Sequence, residues 1–172
     1  MSSIPESYRE NIDPLVTKAR DLLEDGQTLA AFAFVGSFAM RRITPVLLDT
    51  RSDEAKDRSA NEIQRTAEAV NADFVFVVTE AWGLPKDKLA SHQKIVDKYG
   101  SIANCPYRID TVSFVLETHY GIWSAQVLIK PKGYSKKKRT FGEVQFQKID
   151  STEGRLSGLL PRVRNGQPPP LH

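Results

Sequence analysis

The stretch Ala72-Asp-Phe-Val-Phe-Val-Val-Thr-Glu-Ala-Trp82 decides how the chain is read. Phe74 to Val78 is an unbroken apolar run of Phe and Val with no glycine or proline. Such a run predicts a strand covered on both faces, the centre of a sheet. It leads into a carboxylate, Glu80, and a large ring, Trp82. A buried strand of an α/β protein commonly carries its site where it meets solvent, so this end is the first place to look for function.

Upstream, Ser52 is an N-cap residue ahead of a helix to about Ala69, with Ala55, Ile63, Ala67 and Val70 as its apolar stripe. Pro45 to Asp49 reads as a strand, with Pro45 at its start because proline cannot donate to a ladder. Strand, helix and strand from Pro45 to Thr79 predict a right-handed βαβ unit. Leu29 to Phe38, rich in Phe, Val and Ala, is a further strand. Ile4, Tyr8, Ile12, Leu15, Ala19 and Leu22 recur at helical spacing. Asp13-Pro14 resembles a cap followed by a first helical proline, so this segment is two helices or one bent helix, stopped at Asp25-Gly26.

Downstream, Pro85 to Tyr99 predicts a short helix ended by Gly100, and an irregular connection follows to Arg108. Val112, Phe114 and Leu116 alternate on one strand; Trp123, Ala125, Val127 and Ile129 alternate on the next, with a turn at Tyr120-Gly121. Thr140 to Ile149 reads as a last strand with Val144 and Phe146 facing inward. Asp150 to Arg162 is loop-like. The fold class is α/β (α+β): one domain over residues 1–162, with a mixed sheet of about six strands, an N-terminal helix and a βαβ crossover helix. The Gly-Gln-Pro-Pro-Pro end places a disordered tail at 163–172.

At 172 residues the chain suits a single domain, one that buries roughly 70% of its unfolded surface. The single cysteine, Cys105, excludes an internal disulfide and any multi-cysteine zinc site, and a reducing cytoplasm is the expected location. The N-terminus lacks the order of a secretory signal, and no apolar stretch is long enough to span a bilayer, so no membrane partner is expected. Net charge is only +3, but Lys130 to Arg139 concentrates six basic residues without an acid. His92, His119 and His172 form no zinc pattern, and phosphate-loop, dinucleotide and Gly-x-Ser-x-Gly signatures are missing. Neither a cofactor nor a metal site is expected.

Parallel strands end at one sheet edge, which brings Asp49 and Glu80 together. A following antiparallel strand adds Arg108 and Asp110, and the next hairpin adds the basic loop. The candidate rim is therefore Asp49, Glu80, Trp82, Arg108 and Asp110. Its structural reading is a Glu80–Arg108 salt bridge that pins the long loop, with Trp82 closing the core. The candidate nucleic-acid residues are Lys130, Lys132, Tyr134, Lys136, Lys137, Lys138 and Arg139: cations for phosphates and a ring for a base. Their structural reading is a solvated hairpin tip that discourages strand pairing.

Asp49, Lys56, Val78-Thr-Glu-Ala-Trp82, Pro106-x-Arg108-x-Asp110, Glu117 and Glu153-Gly-Arg-Leu-Ser-Gly-Leu-Leu160 resemble a loose group of small uncharacterised bacterial and phage proteins. The resemblance spans about residues 45–160, with Asp110 where that group carries Glu. It implies one bacterial or phage domain and brings no activity with it. The expected function is a non-enzymatic binding or accessory protein, with a protein or nucleic-acid partner at the rim. The alternative is a metal-dependent hydrolase of a phosphodiester or nucleotide using Asp49 and Glu80. A restriction-like nuclease would place acid-x-Lys at the strand end, where this chain has Glu80-Ala81-Trp82.

Overall fold

In the computed structural model, which describes residues 3–150 and 158–160, two long helices lie on opposite faces of an antiparallel sheet. In chain order the elements are α1 (Glu6–Glu24), β1 (Phe32–Ser37), β2 (Arg42–Leu47), α2 (Asp53–Val70), β3 (Phe74–Gly83), α3 (His92–Tyr99), β4 (Ile109–Thr118), β5 (Gly121–Pro131), β6 (Arg139–Phe141) and β7 (Gln147–Ile149). Short 3-10 turns at Lys86–Ser91 and Ile102–Asn104 flank α3. The sheet order is β2-β1-β3-β4-β5-β6, with β7 also on β5. The α+β class and the N-terminal helix are as expected from the sequence. The tail expected at residues 163–172 lies outside the described residues, as does most of the segment after Asp150.

The predicted βαβ unit is corrected in one respect. β2 and β3 run in the same direction, but β1 lies between them and pairs antiparallel with both (Phe34↔Pro45 and Phe34↔Phe76). Ala33 and Val35 are fully buried against α2, while Phe32 and Phe34 turn to the other face, so β1 has apolar sides in both directions. Its tight connection to β2 leaves β2 outermost. Pro45 sits within β2, not at its start. Leu48 donates its backbone N–H to Ala31 at 2.9 Å, and strand alternation therefore turns the Pro45 nitrogen to the open edge, where no donor is needed.

Helix α1 is continuous, with Pro14 inside it on an exposed face. Asp13 caps nothing; its carboxylate takes Arg9, one turn earlier, at 3.2 Å. The stop is at the expected place. Gln27 donates to Leu22 and Gly26 to Leu23, a Schellman closure that puts Gly26 at φ +82°. On α2, Ser52 accepts from the Ala55 N–H at 3.1 Å, and Asn71 closes the helix in the left-handed region.

Tyr8, Ile12 and Leu23 of α1 pack on Phe74, Phe76, Phe114 and Trp123. Ala60, Ile63 and Ala67 of α2 pack on Ala33, Val35, Val75 and Val77. The Phe74–Val78 run is thus buried on both faces. Leu84, Ile95 and Cys105 form a small satellite core under α3, which makes the cysteine a packing residue. The predicted strand over Thr140 to Ile149 is divided. β6 and β7 both pair with β5, and residues 142–146 detour between them so that Val144 and Phe146 pack against the core. Among the described residues no helix is long and apolar enough to cross a membrane.

Candidate functional site

β3 does not end at Thr79. It continues through Glu80, Ala81 and Trp82 to Gly83, paired with Val112 to Ile109 of β4. β1 ends its pairing at Val78, so this last part of β3 has lost one neighbour. The Glu80 side chain takes up the position instead: its Oε1 accepts the Leu29 backbone N–H at 3.0 Å. The same oxygen takes Nη2 of Arg139 at 3.2 Å.

The expected partner of Glu80 is therefore corrected from Arg108 to Arg139. Arg139 opens β6, and the basic loop's return to the rim carries it there. Arg108 instead lies over the Trp82 ring, 5.0 Å from its centroid, and donates Nη1 to the Ala103 carbonyl. Trp82 is 51% exposed and so does not close the core, as the sequence had suggested. Its side chain is a surface platform.

Asp49 stands apart from Glu80 in its bonding. Arg51 holds it through two side-chain contacts of 2.9 and 2.8 Å, and these hydrogen bonds lower its carboxyl to about 2. With one carboxylate on Arg51 and the other on Arg139, neither presents a free pair of oxygens to a cation. Among the described residues no three His, Cys, Asp or Glu side chains gather as a metal-binding group.

Two clefts adjoin at this rim. The first, about 270 Å³, is lined by Thr50, Glu80, Ala81, Trp82 and Asp110. The second, about 480 Å³, includes Lys130, Tyr134, Lys136, Lys138, Arg139 and again Asp110. Asp110 is the shared wall, and as the register partner of Trp82 it stands directly across the ribbon from the indole. Glu80, Trp82, Asp110 and the basic loop thus meet as the chain direction implied; Asp49 is represented only by its neighbour Thr50.

The basic loop is held in shape. Lys132 N–H donates to the Lys138 carbonyl at 2.9 Å, and the Ser135 hydroxyl accepts from the N–H groups of Lys137 and Lys138. Gly133 has φ +61°, a conformation a side chain would disfavour. Lys132 is tied to Glu24 at 3.2 Å, and Lys137 lies with its Cβ near Gly26. Lys130, Lys136, Lys137 and Lys138 make no ion pair with any described residue. Tyr134 is fully exposed.

Sequence reasoning missed what positions this loop. Glu24 accepts from Thr140 Oγ1 at 2.8 Å and from Lys132, and these contacts, Thr140 foremost, hold its carboxyl below the usual range. Arg20 donates to the carbonyls of Phe141 and Gly142 and stacks on Phe141 at 4.6 Å. Arg20 and Glu24 are four residues apart on α1 and so share a face. That spacing was the available signal, but nothing local says which loop they meet.

No protein-family model matches the chain, and no curated protein or solved structure matches it either.

Proposed function

We propose that the protein is a non-catalytic binding protein that holds single-stranded nucleic acid along this rim. One observation carries the reading: a cleft bearing uncompensated lysines adjoins a cleft bearing an exposed indole. Lysines neutralise phosphates without regard to sequence, and exposed aromatic rings stack bases that a single strand leaves free. Tyr134 and Trp82 supply the rings; Lys130, Lys136 and Lys138 supply the charge. Concentration of the charge in one ordered loop reconciles this role with a net charge of only +3. The single buried thiol suits a reducing bacterial or phage-infected cytoplasm. A hydrolase is not favoured, because Asp49 and Glu80 are each engaged by an arginine.

A gel-shift titration of a short oligothymidylate across a salt series tests the proposal. Affinity should fall with salt, and Lys136→Ala/Lys137→Ala/Lys138→Ala should flatten the logarithmic slope by about 2, near the value for three lost phosphate contacts. Trp82→Ala should weaken binding at every salt concentration. Unchanged binding in the triple variant would remove the proposal. Calorimetry with magnesium or manganese addresses the alternative: a metal-dependent heat that disappears in Asp49→Ala would favour the hydrolase instead.

A further inference from the structure

We infer that the Trp82–Asp110 cleft selects guanine from the bound strand, an inference that rests on the single-strand reading above. Of the two carboxylates in this cleft, Glu80 is neutralised by Arg139. Asp110 is exposed, and its carboxylate makes no hydrogen bond or ion pair with any described residue. It faces the cleft from the register position opposite Trp82. A base stacked on the indole therefore has its edge beside two free acceptor oxygens.

That edge chemistry discriminates. Guanine presents two adjacent donors on its Watson–Crick edge, N1–H and the 2-amino group, which match the two oxygens of one carboxylate in a bidentate, charge-assisted pair. Adenine and cytosine each set one amino donor beside a ring-nitrogen acceptor. Thymine and uracil set one N–H between two carbonyl oxygens. Each of these turns at least one lone pair towards Asp110, and that repulsion is the selective element.

Size and neighbourhood agree with this reading. At about 270 Å³ the cleft falls just below the ~300–1,000 Å³ of pockets for drug-sized ligands. It suits one base, with the sugar-phosphate chain outside. The cleft that shares Asp110 holds Lys130, Lys136 and Lys138, which places cations where the phosphates beside that base would lie. Arg108, stacked on Trp82, keeps the indole fixed beside Asp110.

The test is fluorescence anisotropy with a labelled oligothymidylate, the same probe carrying one central guanine, and a third carrying inosine there. The guanine probe should bind about tenfold tighter than oligothymidylate, near the lower end of the discrimination a bidentate base contact gives. Inosine, which lacks the 2-amino group, should lose most of that gain. Asp110→Asn should erase the preference, bringing the guanine, inosine and oligothymidylate probes to one affinity, since an amide cannot offer two acceptor oxygens to the guanine edge. Equal affinity of the parent for all three probes, or a guanine preference that survives Asp110→Asn, overturns the inference and leaves the single-strand reading standing. No binding of any probe overturns both.

Discussion

Gly36 shows what one missing side chain permits. A Cβ built there would lie 2.1 Å from the Phe74 ring, which is itself buried in the core beneath α1. Neither β1 nor the ring can move without disturbing that packing. Gly36→Ala should therefore destabilise the protein by about 2–3 kcal/mol, the range of an overpacked core, as read by urea denaturation. Glu117 makes a different point. Burial raises its carboxyl above the ordinary value of 4.5, although the Leu159 and Leu160 N–H groups act the other way. Well below that ordinary value both folded and unfolded chains are protonated and the group costs nothing. As pH rises through the raised folded value the unfolded chain has already lost its proton, so this contribution to stability is lost. Glu117→Gln should remove it: as pH rises above the ordinary value of 4.5, the parent should lose stability relative to the variant in thermal melts.

At the scale of elements, the two long helices illustrate tolerance and dependence. Pro14 removes one backbone hydrogen bond from α1, and its exposed position lets the helix accommodate the ring on its solvent side. Pro14→Ala restores the donor, and part of that gain is offset because alanine frees the unfolded chain. The expected stabilisation is about 1–2 kcal/mol by chemical denaturation. α2 depends on its cap: Ser52→Ala leaves the Ala55 N–H without its acceptor and should cost about 1 kcal/mol by the same measurement. The start of this helix was legible because a cap acts within three residues. The continuity of α1 through Asp13-Pro14 was not, since the local signal for a new start is real and is overridden by Tyr8, Ile12, Val16, Ala19 and Leu23 packing along one face.

Across the whole molecule, β2 is an open edge with Leu47 61% exposed. Such an edge invites pairing with another chain, and Pro45 interrupts its outward donors. Pro45→Val supplies the missing N–H with a strand-forming side chain. The variant should self-associate at concentrations where the parent does not, as followed by light scattering or sedimentation.

The sequence by itself determined the strand at Phe74–Val78, the Ser52 cap, the Gly26 stop and the alternating hairpin of β4 and β5. Periodicity and caps are short-range, so each is complete within a few residues. Chain direction also predicted one rim for Asp49, Glu80, Trp82, Arg108, Asp110 and the basic loop; Glu80, Trp82, Asp110 and the loop meet there, whereas Asp49 is held by Arg51 outside both clefts. Only the tertiary structure decided that β1 enters between β2 and β3, because strands compete for edges over long sequence separations. It likewise decided that Arg139, not Arg108, reaches Glu80, and that Arg20 and Glu24 anchor the basic loop. Those partners lie 59 residues apart in the first case and more than 100 in the second, a distance at which charge type carries no address. The Asp110 carboxylate is left without a hydrogen bond or ion pair to any described residue. The strand that decided the fold also reaches the rim, where Trp82 faces that open carboxylate.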